Sequence, residues 1–235
     1  MSQNLNKIFS ILFKHFGEQN WWPAESPFEV IVGAILTQNT SWKNVEKSLC
    51  AIKEKGLLSP ESLYLTDDKE LAALIKSSGF YNLKARRLKN FLTFFKCFDF
   101  DLKIMKKDSD IRKKLLGVKG IGKETADSIL LYALQLPYFV VDSYTKRIFH
   151  RLGFFKSEKI DYDEVQQFFH KSLPRDERLF NEYHALIVET AKKYCKKKPS
   201  CSACPLKSFC KYAIAKPIKR ETETAEAKTK VIKNV

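Results

Sequence analysis

A chain of 235 residues, 44% hydrophobic and 13% aromatic, can bury the core of one large domain or two lobes and is not disordered. Charge interrupts its apolar runs too often for a membrane span, and Met1-Ser2-Gln3-Asn4 lacks the basic start of a secretory signal, so the expected setting is the cytoplasm. The 42 Lys and Arg against 27 acidic residues give a net charge of +15; that field attracts polyanions and puts nucleic acid first among partners, although it also serves plain solubility. In chain order, Leu5, Ile8, Phe9, Leu12, Phe13 and Phe16 share one helix face, closed by Gly17. Pro23 and Pro27 break the chain before a helix over 28–36, continued by Val45, Leu49 and Ile52 after a polar interruption at 38–41. Further helices are predicted over 60–64, 68–77, 83–98, 109–115 and 123–134. Past Pro137, residues 138–141 read as an extended link, and helices resume over 143–151, 162–172 and 175–195. Cys50 and Cys97 fall on helix patterns and are expected to be buried, inert thiols. Residues 213–235, rich in Lys, Glu, Thr and Ala, read as a flexible basic tail.

Two features carry chemistry. In Leu116-Gly117-Val118-Lys119-Gly120-Ile121-Gly122-Lys123-Glu124-Thr125-Ala126, two glycines two apart precede a helix start. Such a turn lets backbone amides approach a phosphate, with Lys119 and Lys123 adding charge; a plain interhelical turn is the alternative. Asp142 lies 20 positions after Gly122, in Val140-Val141-Asp142-Ser143-Tyr144. A carboxylate can stabilise the positive sugar that forms as an N-glycosidic bond breaks, or activate the attacking water. As an N-cap, the same Asp needs no special explanation.

This pairing resembles the endonuclease III superfamily of helix-hairpin-helix DNA glycosylases, whose members combine such a hairpin with a V-D-[TS] aspartate. The likeness runs over roughly 27–210 and includes Gly79-Phe80-Tyr81-Asn82-Leu83-Lys84-Ala85. It implies an all-α, two-lobed fold: a six-helix lobe over 24–134 carrying the hairpin, and a second lobe from 1–23 plus 135–212. It also implies DNA gripped by Val118, Lys119, Gly120, Ile121, Gly122 and Lys123, with Asp142 catalytic. Bifunctional members carry a nucleophilic lysine where this chain has Glu124. Lys123 points about 100° away on a helix, so a monofunctional, water-using enzyme is expected.

Trp21-Trp22-Pro23, Leu36-Thr37-Gln38-Asn39-Thr40-Ser41-Trp42 and Tyr144 are similar to the 3-methyladenine DNA glycosylase branch. Trp21, Trp22 and Trp42 are then candidates for a pocket that stacks an electron-poor base, with core filling as the alternative. Lys192 aligns weakly with a lysine near that pocket, although a solvated helix face suits it as well. Gln38 matches the residue that fills the gap left by a flipped base, and Phe80 is a candidate wedge opposite it, or core.

Cys195-x5-Cys201-x2-Cys204-x5-Cys210 gathers four thiols in one loop, which points to metal. The set resembles the [4Fe–4S] loop of endonuclease III with a first spacer one residue shorter; zinc is the alternative. Lys196, Lys197, Lys198, Lys207 and Lys211 surround it and would present positive charge to the DNA backbone. The function expected is monofunctional excision of alkylated purines, chiefly 3-methyladenine, from double-stranded DNA by a monomer. The rivals are a glycosylase/lyase for oxidised pyrimidines and a non-catalytic iron–sulfur DNA-binding protein.

Overall fold

A computed structural model describes residues 2–215, and these contain helices and no strand. The helices are α1 (Ser2–Phe16), α2 (Pro27–Leu36), α3 (Trp42–Glu54), α4 (Pro60–Leu65), α5 (Asp68–Leu74), α6 (Tyr81–Lys96), α7 (Leu102–Lys107), α8 (Ile111–Gly117), α9 (Lys123–Ser128), α10 (Ser143–Leu152), α11 (Tyr162–Ser172), α12 (Glu177–Lys193) and α13 (Lys211–Ala215). A π-helical turn, Ile129–Ala133, continues α9. None is long and apolar enough to cross a membrane.

Local chemistry sets the starts. Ser26 Oγ accepts the Glu29 amide with Pro27 in the first turn, so α2 begins where the missing proline donor costs nothing. Asp67, Asp101, Asp142, Asp161 and Asp176 cap α5, α7, α10, α11 and α12 in the same way. Residues 28–36 of α2 are buried all round, as a helix at the centre of a bundle must be. It packs against α3, α6, α9 and the π turn, while α12 receives α1, α10 and the π turn. The buried apolar side chains form one continuous cluster from Leu5 to Leu206. Within it the Phe139 ring stacks on Phe169 at 3.7 Å between centroids and meets Phe180 and Tyr183 edge-on. Truncating a ring so enclosed typically costs about 3–5 kcal/mol.

Most predicted helices stand within a few residues of their expected bounds, and residues 135–142 form the irregular link. Four readings change. The six residues of α7 escaped periodicity because so short a helix shows barely one repeat. α6 starts at Tyr81 because Phe80, at φ 47°, turns the chain in a left-handed conformation just before it. Cys50 and Cys97 are exposed, not buried: the inward stripe of α3 is Val45, Ser48, Leu49 and Ile52, and Cys50 lies off it against Glu54. Residues 213–215 belong to α13, and the rest of the expected tail lies outside the described residues.

Candidate active site

The hairpin joins α8 to α9. Val118 and Ile121 are buried and pin it inward, and the Ile121 amide donates to the Val118 carbonyl at 3.0 Å. Gly120 takes φ 99°, and a Cβ there would lie 2.3 Å from Cγ of Arg87, so glycine is required twice over. Gly122 is extended and serves as the N-cap of α9, where a Cβ would meet open space. Side chains hold the outer carbonyls: Asn90 Nδ2 donates to Lys119 O at 2.9 Å and Gln38 Nε2 to Gly120 O at 3.2 Å. Lys119 is exposed. Lys123 is not free in the way the sequence suggested, because its Nζ sits 2.7 Å from Asp163 of α11 and 3.7 Å from Asp161, the cap of that helix.

An open cleft of about 1080 Å³ runs beside the hairpin, lined by Gln38, Arg87, Gly120, Glu124, Thr125 and Ser143 among others. Gln38 is tied within it: Nε2 also reaches Thr125 Oγ1 at 3.0 Å, and the Arg87 guanidinium donates to its Oε1. Phe80 is 70% exposed, a large apolar ring left in water. Behind both lies Lys84, 1% exposed, whose ammonium donates to Leu36 O at 2.7 Å and Ser78 O at 2.6 Å. Burial, helped by Arg87, lowers its pKa to about 8.

Asp142 caps α10 directly after the irregular link. Its Oδ1 accepts the Thr145 amide at 2.7 Å and the Thr145 hydroxyl at 2.8 Å, while Oδ2 lies 3.8 Å from Nε2 of His184. Burial works against the charged form, but His184 and Thr145 outweigh it and hold the carboxyl below its ordinary range. His184 Nδ1 is 2.5 Å from the Tyr132 hydroxyl. Burial, then the charges of Asp142 and Glu124, keep that phenol well above the usual range. His184 thus stands between the Tyr132 hydroxyl on its Nδ1 side and the Asp142 carboxylate on its Nε2 side.

The link itself is pinned by side chains. Asp127, fully buried, takes a two-pronged ion pair from Arg112 at 2.7 and 3.0 Å, and Gln166 bridges Asp127 to Phe139 O at 2.7 and 2.8 Å. The Phe139 amide donates to His170 Nε2 at 2.9 Å, and the Val141 amide to the Tyr162 hydroxyl at 3.4 Å. These contacts join α8, α9 and α11 around the residues that present Asp142.

The three tryptophans form one cluster. Trp22 meets Trp21 at 5.7 Å, Trp42 edge-on at 5.0 Å and Tyr132 at 5.2 Å between centroids. Gly33 of α2 floors it, since a Cβ there would stand 3.3 Å from Trp42 and 3.5 Å from Trp22. Lys192 Nζ lies 5.3 Å over Trp21 and 3.6 Å from Glu189. Through Tyr132 and His184 the cluster connects to Asp142. Trp21 and Trp22 nevertheless line a separate cavity of about 340 Å³, which shares no lining residue with the hairpin cleft.

The four cysteines of 195–210 line one small cavity with Arg151, Pro199, Lys207 and Tyr212. Burial pushes the Cys204 thiol up to about 11 and raises Cys210 as well, and backbone amides after each sulfur oppose that shift. Arg151 donates to Cys195 Sγ at 3.2 Å and to the carbonyls of Lys196 and Lys197, and Arg147 donates to Cys195 O at 2.8 Å. Four thiols lining one small space beside amide and guanidinium donors supply the donor chemistry of a thiolate-ligated group, although among the described residues no three His, Cys, Asp or Glu side chains are drawn together as a metal site.

Residues 32–175, which include the hairpin and Asp142, match the HhH-GPD superfamily of base excision DNA repair proteins. The chain belongs to that superfamily. A Methanocaldococcus jannaschii protein provisionally named a DNA repair glycosylase is 52% identical over 87% of this chain and 94% of its own. Endonuclease III of Sulfolobus acidocaldarius is 31% identical over 80% and 82%. Among solved structures, a 3-methyladenine DNA glycosylase of H. pylori bound to 1,N6-ethenoadenine is 33% identical, with a TM-score of 0.70 over 81% of this chain and 96% of that one. The HhH-GPD stretch leaves out Trp21, Trp22 and the cysteine loop. Sequence reasoning about this HhH-GPD chain missed Lys84, Arg112, Asp127, Tyr132, Gln166 and His184. A hydroxyl within the apolar run 129–134 was the one signal that could have singled out Tyr132.

Proposed function

We propose that this chain is a monofunctional DNA N-glycosylase that releases alkylated purines, chiefly 3-methyladenine, from double-stranded DNA and leaves an abasic site. The observation that carries the reading is the run of contacts from Asp142 through His184 and Tyr132 to Trp22 and Trp42. A methylated purine is cationic, and indole faces attract such a ring by roughly 1–3 kcal/mol. The carboxylate at the other end of the run is kept ionised, as stabilisation of a positive sugar or activation of water requires. The likeness to a 3-methyladenine DNA glycosylase supports the same substrate class.

The lysines support hydrolysis without strand cleavage. The position of the superfamily's nucleophile holds Glu124; Lys123 is paired with Asp163, and Lys146 donates to Ile160 O at 2.7 Å. The hairpin would hold phosphates through the amides near Gly122 and through Lys119, with Gln38 and Phe80 entering the duplex where the base leaves. Cys195, Cys201, Cys204 and Cys210 would hold a [4Fe–4S] cluster, whose role is to order the basic loop around it.

The deciding experiment treats methylated DNA with the purified protein and identifies the released bases by chromatography, with borohydride added to a parallel abasic duplex. Free 3-methyladenine without a trapped adduct is expected. Release of oxidised pyrimidines with efficient trapping would establish instead the lyase reading that kinship with endonuclease III favours. Undiminished base release by Asp142→Asn would overturn the role of Asp142. Metal analysis for iron and sulfide against zinc tests the cluster.

A further inference from the structure

Glu124 was singled out only for what it is not. It lies in the first turn of α9, exposed to solvent on the wall of the hairpin cleft. Its side chain makes no hydrogen bond or ion pair among the described residues. A carboxylate is a poor neighbour for phosphates, so its place in a cleft of this kind calls for another use. The charged and titratable groups coupled to it are Asp142, the cap of α10, Lys146 from α10, His184 from α12, Tyr132 from the π turn and Tyr162 from α11; Ser143, Tyr162 and Arg87 line the same cleft.

We propose that Glu124 is a second catalytic carboxyl group, a general acid that delivers its proton to a ring nitrogen of the departing base while Asp142 serves the sugar. The inference rests on the glycosylase reading above and extends it to uncharged bases. When the bond between C1′ and the base breaks, its electron pair moves to the base nitrogen, and water supplies the oxygen that bonds to C1′. A methylated purine cation leaves as a neutral molecule and needs no proton. An uncharged purine would leave as an anion unless protonated, and here the proton comes from Glu124, which becomes a carboxylate. The proton of the attacking water passes to solvent by way of Asp142, and solvent in the open cleft reprotonates Glu124.

The environments of the two carboxyls are driven apart, as such a division of labour requires. Although the side chain opens onto the cleft, the protein walls around it strip away part of its water, and this desolvation, with the charge of Asp142 next, raises Glu124 to about 7, against smaller opposing effects of His184 and Lys146. Asp142 is held low.

The test compares single-turnover release of 3-methyladenine and 7-methylguanine from methylated DNA with release from duplexes containing one hypoxanthine or one 1,N6-ethenoadenine, from pH 5.5 to 8.5. For the wild type, release of the uncharged bases falls about tenfold per pH unit above about 7, and release of the cationic bases does not follow that slope. Glu124→Gln lowers the ratio of uncharged to cationic release about 100-fold and abolishes the slope. Glu124→Asp restores the slope at reduced rate. Equal losses on both substrate classes in Glu124→Gln, or survival of the slope, overturn the proposal. So does wild-type protein that releases methylated purines and no uncharged base, an outcome that leaves the alkylpurine reading intact. Release of uncharged purines with the expected slope but of no methylated purine overturns the alkylpurine reading and keeps the acid. The wild-type slope stands as a measurement even if a variant fails to fold.

Discussion

The two ends of α10 are held in different ways. At its start Asp142 caps the helix through Thr145, and the link behind it is fastened by Gln166, His170 and Tyr162. At its finish Gly153 turns the chain at φ 92°, and Arg147 and Arg151 grip the cysteine loop, with Cys210 Sγ donating back to Arg151 O at 3.4 Å. The first end is fixed by partners that the chain supplies itself. At the second, two arginines hold a loop whose four thiols turn onto a common cavity. Substitutions at the start should therefore register in chemistry, and those at the finish in stability and metal retention.

Asp142→Asn gives the sharpest contrast. Asparagine caps a helix about as well as aspartate, so base release should drop about 10³-fold, or roughly 4 kcal/mol in transition-state energy, with the melting temperature moved by no more than about 2 °C. A large fall in melting temperature would erase the distinction between the ends. Acid should loosen the link next. Burial, reinforced by Arg175 and Arg112, lowers His170 from 6.5 to about 4, so the folded form holds the neutral ring that accepts the Phe139 amide. Below 6.5 the unfolded chain binds a proton that the folded one refuses. This contribution, up to about 3 kcal/mol, is thus complete above pH 6.5 and lost as pH falls toward 4. Urea melts at pH 7 and 4.5 measure it, and His170→Asn should remove that part of the slope. At the far end, Arg151→Ala should cost about 1–3 kcal/mol by leaving carbonyls of the loop without their donor, seen as a lower melting temperature and faster loss of metal on dialysis. Gly153→Ala should be mildest, about 1 kcal/mol for the left-handed turn, because the flexible Lys211 side chain it would strike can move aside.

What the sequence disclosed about this site is local in origin. The turn at Gly120, the cap at Asp142 and the close spacing of four cysteines all depend on neighbours within a few positions, where residue type dictates conformation directly. The partners that orient Asp142 come from afar: His184 lies 42 positions on, and Gln166 reaches back 39 positions to Asp127. No periodicity encodes such meetings. Cys50 shows the opposite error, since a helical pattern gives the stripe that faces inward but a single cysteine can stand beside it. Lys123 looked free for phosphate because the carboxylates of Asp161 and Asp163, 38 and 40 positions later, were invisible as its partners.

Lys84 leaves one consequence for how duplex DNA is probed. Its ammonium holds the carbonyl two residues before Gln38 and the carbonyl two residues before Phe80. One buried cation thus sets the gauge between the two side chains that would enter the helix from opposite strands, like the fixed jaws of a calliper. Sound and distorted DNA would both be presented to the same spacing, and the duplex, being the softer body, would have to conform.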